Sequence, residues 1–133
     1  MNKKNSVMHF EIYGENPEKL SKFYSSLFDW KVQDMPEMDY KWVETVETDD
    51  NGIPTQPGGI NGGMMKRPDG FASNAWVNYV GVESLDASVD KAVKLGATVM
   101  KPKSSVPEYG WYAILSDPQG NTFAMWQNDS QAK

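Results

Sequence analysis

The chain runs through the same succession of segments twice, and no other feature constrains its fold as strongly. Sliding the sequence along itself by 68 residues (85 − 17 = 68) sets Pro17 on Leu85, Leu27 on Leu95, and Trp30-Lys31-Val32 on Thr98-Val99-Met100. In the first copy, residues 7–13 alternate. Met8, Phe10 and Ile12 fall on one face and His9, Glu11 and Tyr13 on the other, the pattern of a strand with one face on a core. Asn16-Pro17 supplies a helix N-cap with proline at the first helical position, and Leu20, Phe23, Tyr24 and Leu27 follow at helical spacing. Trp30–Gln33 and Tyr40–Thr48 read as strands, Asp49-Asp50-Asn51-Gly52 as a hairpin turn, and the glycine-rich run Gly58–Met65 as a fourth strand.

The second copy repeats this order. Ala75–Val82 reads as a strand. Ser84 caps a helix with Leu85, Val89, Ala92 and Val93 as its buried positions, and Gly96 stops it. Thr98–Met100, Trp111–Leu115 and Thr122–Gln127 follow as strands, with Asp117-Pro118-Gln119-Gly120 as a type I turn. One half alone cannot bury both faces of its sheet, so the halves are expected to share a core. The reading is one α+β domain over 1–133: module one at 7–66, a polar linker at 67–74, module two at 75–127, and a frayed tail at 128–133. A ferredoxin-like sheet would carry six strands, and three strands after each helix argue against it.

Composition narrows the chemistry. With no cysteine, the chain has no disulfide, thiolate metal site or cysteine nucleophile. Its single histidine, His9, excludes any site needing two imidazoles from one chain. A net charge of −5 without a basic stripe disfavours nucleic acid and anionic membrane as partners. The lysines near the start lead into a strand pattern rather than an apolar signal region, and no apolar run reaches membrane-spanning length, so a cytoplasmic protein is expected. No Gly-x-Ser-x-Gly elbow supports serine catalysis. Gly58–Gly63 lacks both the spacing and the following helix of a phosphate cradle, and reads instead as glycines that allow close backbone approach.

The polar face His9/Glu11/Tyr13 is the first candidate site. Along a strand the Cβ atoms of His9 and Glu11 stand about 7 Å apart, a His-x-Glu pair that could hold two sites of a metal but has no identifiable third ligand, and His9 tuned by Glu11 reads as a pocket acid/base. By parity across the repeat, Val77 and Tyr79 occupy the matching face in module two (77 − 9 = 68). The aromatic set Trp42, Trp76, Tyr79, Trp111, Tyr112 and Trp126 is expected chiefly in core and cross-strand pairs.

Several segments together resemble the vicinal oxygen chelate superfamily, the glyoxalase/bleomycin-resistance/dioxygenase fold. They are Val7–Ile12, Pro17–Tyr24, Leu27–Lys31, Pro57–Gly63, Ala92–Ala97 and Asp117–Phe123, and they span nearly all of residues 7–127. The likeness is greatest to small bacterial members with a Phe-Tyr…Phe-(Gly/Asp)-Trp helix end. The resemblance implies two βαβββ modules forming a cup of curved mixed sheet around a ligand cavity, often in a homodimer. It also implies four stations for a divalent ion, one on the first and one on the last strand of each module. Here those stations fall on His9, Gly63, Val77 and Ala124, and a one-residue slip adds only Asn78. One donor in four does not hold a catalytic cation, so neither a metal nor another cofactor is expected.

The expected function is therefore that of a glyoxalase/bleomycin-resistance-like protein. It binds a small organic molecule in the cup through His9, Glu11, Tyr13, Val77 and Tyr79, without the standard metal site. The alternative is a glyoxalase-type lyase or isomerase with His9 and Glu11 as catalytic acid and base, with or without metal assistance. A pure interaction module would not need the polar face.

Overall fold

The computed structural model describes residues 4–71 and 73–133. Among these residues the order is β1 (Val7–Gly14), α1 (Pro17–Phe28), β2 (Lys31–Met35), β3 (Tyr40–Glu44) and β4 (Gly62–Lys66), with a short 3₁₀ turn at Pro36–Met38. It continues with β5 (Trp76–Gly81), α2 (Leu85–Lys94), β6 (Thr98–Val106), β7 (Gly110–Ser116) and β8 (Thr122–Asn128). The chain divides into two compact units. One is His9–Trp76; the other is Val77–Lys133 together with the N-terminal residues through Met8.

In the His9–Trp76 unit the strand order is β2-β3-β4-β1. The β2·β3 and β3·β4 pairs are antiparallel and β1·β4 is parallel. The alternation in β1 places Phe10 and Ile12 beneath α1, where they join Val43 and Met64 in a buried cluster. The Asn16 side chain accepts the Lys19 amide and so starts α1 where the Asn-Pro pair predicts. Only part of the expected helix face is covered. Leu20 and Tyr24 pack on the cluster, whereas Phe23 and Leu27 remain 59% and 57% exposed. The aromatic groups beside them form a chain of ring contacts, with Tyr24 stacked on Trp30 at 5.5 Å and Phe10 on Trp76 at 5.5 Å. Lys41, buried on the helix side of β3, bonds Glu18 of α1 and Asp34 of β2, so one ammonium ties three elements together.

The other unit repeats the plan, with β5 beside β8, β8 beside β7 and β7 beside β6. Again the first and last strands are parallel and the remaining pairs antiparallel. Helix α2 begins where Ser84 accepts the Ala87 amide, and Leu85 is fully buried with Ala113, Leu115 and Met125. Val93, expected to be buried, is 48% exposed. Strand β6 runs well past the expected Met100. Register shifts between Val99 and Lys101 and between Lys101 and Ser104 carry it through Pro102, which regular pairing would not tolerate.

The expected frayed tail is instead folded back. Ala132 is buried and its carbonyl accepts the Glu108 amide at 2.9 Å, while Trp111 Nε1 donates to Asp129 at 2.9 Å. The 68-residue offset holds along the first strand of each unit, while the last strands are offset by 61 (124 − 63 = 61). Glu11 stands opposite Gly63 in one unit, and Tyr79 (11 + 68 = 79) stands opposite Ala124 in the other.

Candidate functional site

The face of β1 turned away from α1 carries His9, Glu11 and Tyr13, as the alternation predicts. The structure joins all three. Tyr13 Oη donates to Glu11 Oε1 at 3.0 Å, and His9 Nε2 lies 3.7 Å from Glu11 Oε2. The His9 and Glu11 side chains are 17% and 11% exposed, so the pair is mostly shielded from water.

A fourth member, Tyr40, was not anticipated. It opens β3, and its Oη lies 3.0 Å from His9 Nε2. It also hydrogen-bonds Glu11. Burial pushes the Tyr40 phenol well above the usual tyrosine range, and the charge and hydrogen bond of Glu11 push it the same way. Tyr40 therefore stays protonated, a donor at any physiological pH. Trp42, two residues on, stacks against the His9 ring at 6.0 Å with 22° between planes. Phe71 of the linker meets Tyr13 edge-on at 5.4 Å. The result is a buried polar row with aromatic flanks.

Two glycines make this arrangement possible. A Cβ on Gly62 would collide with the carbonyl and ring of Phe10, and a Cβ on Gly63 would collide with Oη and Cζ of Tyr40. The glycine run thus serves close approach, as its composition suggests.

Val77 and Tyr79 lie on β5 in the other unit, both buried. Tyr79 approaches Tyr112 at 6.4 Å, and the Tyr112 hydroxyl bonds Lys101. The four positions at which the resemblance implies ligands for a divalent ion are His9 and Gly63 in one unit and Val77 and Ala124 in the other, which is a single donor. Among the described residues no three His, Cys, Asp or Glu side chains gather around a common point. The residues present do not fit the divalent ion that the resemblance implies. Glu44 and Glu47 do not supply the missing donors; Glu47 is exposed at the hairpin end.

The fold is that of the glyoxalase/bleomycin-resistance/dioxygenase class. Among solved structures, a superfamily member from Vibrio splendidus 12B01 superposes with a TM-score of 0.60 at 11% identity, covering 95% of this chain and 100% of that one. A Streptomyces coelicolor methylmalonyl-CoA epimerase variant in complex with 2-nitronate-propionyl-CoA gives 0.62 at 12% identity, covering 96% and 97%. At such identities these likenesses speak to fold alone.

The sequence model of the Glyoxalase-like domain matches residues 9–126, and the chain belongs to that family. It is also 32% identical over 110 residues to the proteins named "Putative glyoxylase CFP32" of Mycobacterium bovis and Mycobacterium tuberculosis. The match takes in 80% of this chain but only 39% of those relatives' length. Among the described residues no helix is long and apolar enough to cross a membrane.

Proposed function

We propose that the protein binds a small organic molecule on the β1 face of the His9–Trp76 unit, without a divalent ion. The carrying observation is the set His9, Glu11 and Tyr13 of β1 with Tyr40 of β3, joined by contacts of 3.0 Å for His9–Tyr40 and Tyr13–Glu11 and of 3.7 Å for His9–Glu11. A strand face used only for packing would not concentrate a carboxylate, an imidazole and two phenols, because each must be desolvated and then satisfied. Trp42 and Phe71 supply flat apolar surface on either side, and Met65, on the same face of β4, adds an adaptable contact. Glu11 gives the face a preference for ligands that bring hydrogen-bond donors.

The test is a thermal-shift screen with methylmalonyl-CoA, aromatic amines and small hydroxy- and keto-acids as probes. A stabilising compound is expected to lose its effect in both His9→Ala and Glu11→Ala. Equal stabilisation of the native protein and both variants would place the binding elsewhere.

A second reading rests on the His9–Glu11 separation of 3.7 Å. An imidazole beside a carboxylate is an acid/base pair, and a lyase or isomerase reaction would use it to move a proton on the bound molecule. Turnover of a bound probe that disappears in His9→Gln, with binding retained, would establish this reading over simple binding.

A further inference from the structure

We propose that Tyr40, admitted by the missing side chain at Gly63, is a positioning residue that fills a metal corner of the fold and fixes His9 with its proton on Nε2. Two separate features of the geometry lead there.

The first is steric. Gly63 stands opposite Glu11 in the parallel β1·β4 pair and opposite Trp42 in the β3·β4 pair. This is the station where a donor side chain would enter the site. The Tyr40 ring lies over Gly63 so closely that even a methyl group there would strike Oη and Cζ. The phenol and a side chain at position 63 are mutually exclusive. The site does not merely lack a donor at this station; another group stands in its place.

The second is the accounting of protons. A phenol has one hydrogen to donate. Tyr40 Oη faces both the Glu11 carboxylate, an acceptor only, and His9 Nε2 at 3.0 Å. Donation to the carboxylate is charge-assisted and the stronger choice. Nε2 must then bring its own hydrogen and donate to Oη. The opposite arrangement, with the phenol donating to a bare Nε2, would turn an oxygen lone pair toward Glu11. It would also set the Nε2 lone pair 3.7 Å from Oε2 of the same carboxylate. Both contacts are repulsive, so the Glu11 carboxylate, 3.7 Å from Nε2 and beside Oη, selects the Nε2–H tautomer. A bare Nε2 is also what this edge of the ring would need to ligate a cation, and the Tyr40 bond removes it.

The chain's single histidine makes the test direct. Two-bond proton–nitrogen correlation spectra of the uniformly ¹⁵N-labelled protein at pH 8.5 show one imidazole. The native protein is expected to give the Nε2–H pattern. Tyr40→Phe is expected to lose that preference. Gly63→Ala, which keeps the tyrosine but evicts its ring, is expected to give the same loss. Tyr13→Phe removes the donor to Glu11 Oε1 while keeping Tyr40 and Gly63, and should leave the pattern native. One equivalent of Mn²⁺ is expected to leave the native His9 signals unbroadened.

An Nδ1–H pattern in the native protein would overturn the proposal, as would native patterns in both Tyr40→Phe and Gly63→Ala. Selective broadening of His9 by one equivalent of Mn²⁺ would overturn the closed corner. If Gly63→Ala fails to fold, the native and Tyr40→Phe spectra still decide. The inference shares its metal-free premise with the proposed function but requires no ligand, so an empty screen with the expected spectra would sink only the ligand reading.

Discussion

Glu11 is the hub of the buried row, and its two phenols offer a quantitative test. Tyr13 donates to Oε1 at 3.0 Å, and Tyr40 bonds the same carboxylate while also meeting His9. With the Glu11 side chain only 11% exposed, water is poorly placed to replace either donor. A hydrogen bond to a charged group contributes about 1.5–3 kcal/mol, so Tyr13→Phe and Tyr40→Phe are each expected to lose stability in that range. At a sensitivity of about 3–6 °C per kcal/mol for a domain of this size, each variant should melt roughly 5–18 °C below the native protein. Because both act on one carboxylate, the double variant should depart from additivity by at least about 0.5 kcal/mol. Urea denaturation followed by tryptophan fluorescence measures all four corners of the cycle, and an unchanged m-value certifies the comparison. Losses under about 0.3 kcal/mol that simply add would refute the idea that the carboxylate depends on these phenols.

Three further outcomes follow from the same geometry. Asp34 and then Glu18 hold the Lys41 ammonium above its usual value. That stabilisation is complete below the unfolded lysine value of about 10.4 and is lost as pH climbs through the raised folded one. The double variant Glu18→Gln/Asp34→Asn should therefore lack the alkaline loss of stability that the native protein shows, and identical alkaline melting curves would contradict this. Asp117 is held below its usual value, first by the Asn121 side chain and then by the Asn121 and Gln119 amides. Its contribution is present above the unfolded value of about 3.9 and fades as pH falls through the lowered one, so Asp117→Ala should lower the melting temperature at pH 7 and converge on native behaviour in acid. Removal of residues 129–133 should destabilise the second unit and alter Trp111 emission, because Asp129 and Ala132 are both bonded into it; an unchanged melting temperature would show the tail to be dispensable.

Much of this architecture is written locally. The alternation of β1, the Asn16 and Ser84 caps and the turn glycines act within a few residues, and each element appears where those signals lie. The repeat is legible for a different reason: equivalent stations at Gly63 and Ala124 follow from counting, and the strand registers agree. What was hidden depends on tertiary placement. Tyr40 reaches His9 across 31 residues and two strand pairings, and no periodicity reports that. One signal was available: a glycine inside a strand at Gly63 marks something lying close above it, but not what that something is. The exposure of Phe23 and Leu27 was equally invisible, because helical spacing shows which residues share a face but not how much of that face the sheet covers. Strand β6 and the tail went unseen because Pro102 and a polar C-terminus read as breakers until bulges and specific hydrogen bonds absorb them.

The claim that matters most is that this face takes an organic molecule unaided by a cation. Isothermal titration of the most stabilising probe into protein dialysed against EDTA addresses it at once. One site per chain is expected, unchanged by the dialysis and weakened at least about tenfold, or 1.4 kcal/mol, in Glu11→Ala. Binding that vanishes after EDTA and returns with Zn²⁺ or Ni²⁺ would contradict it.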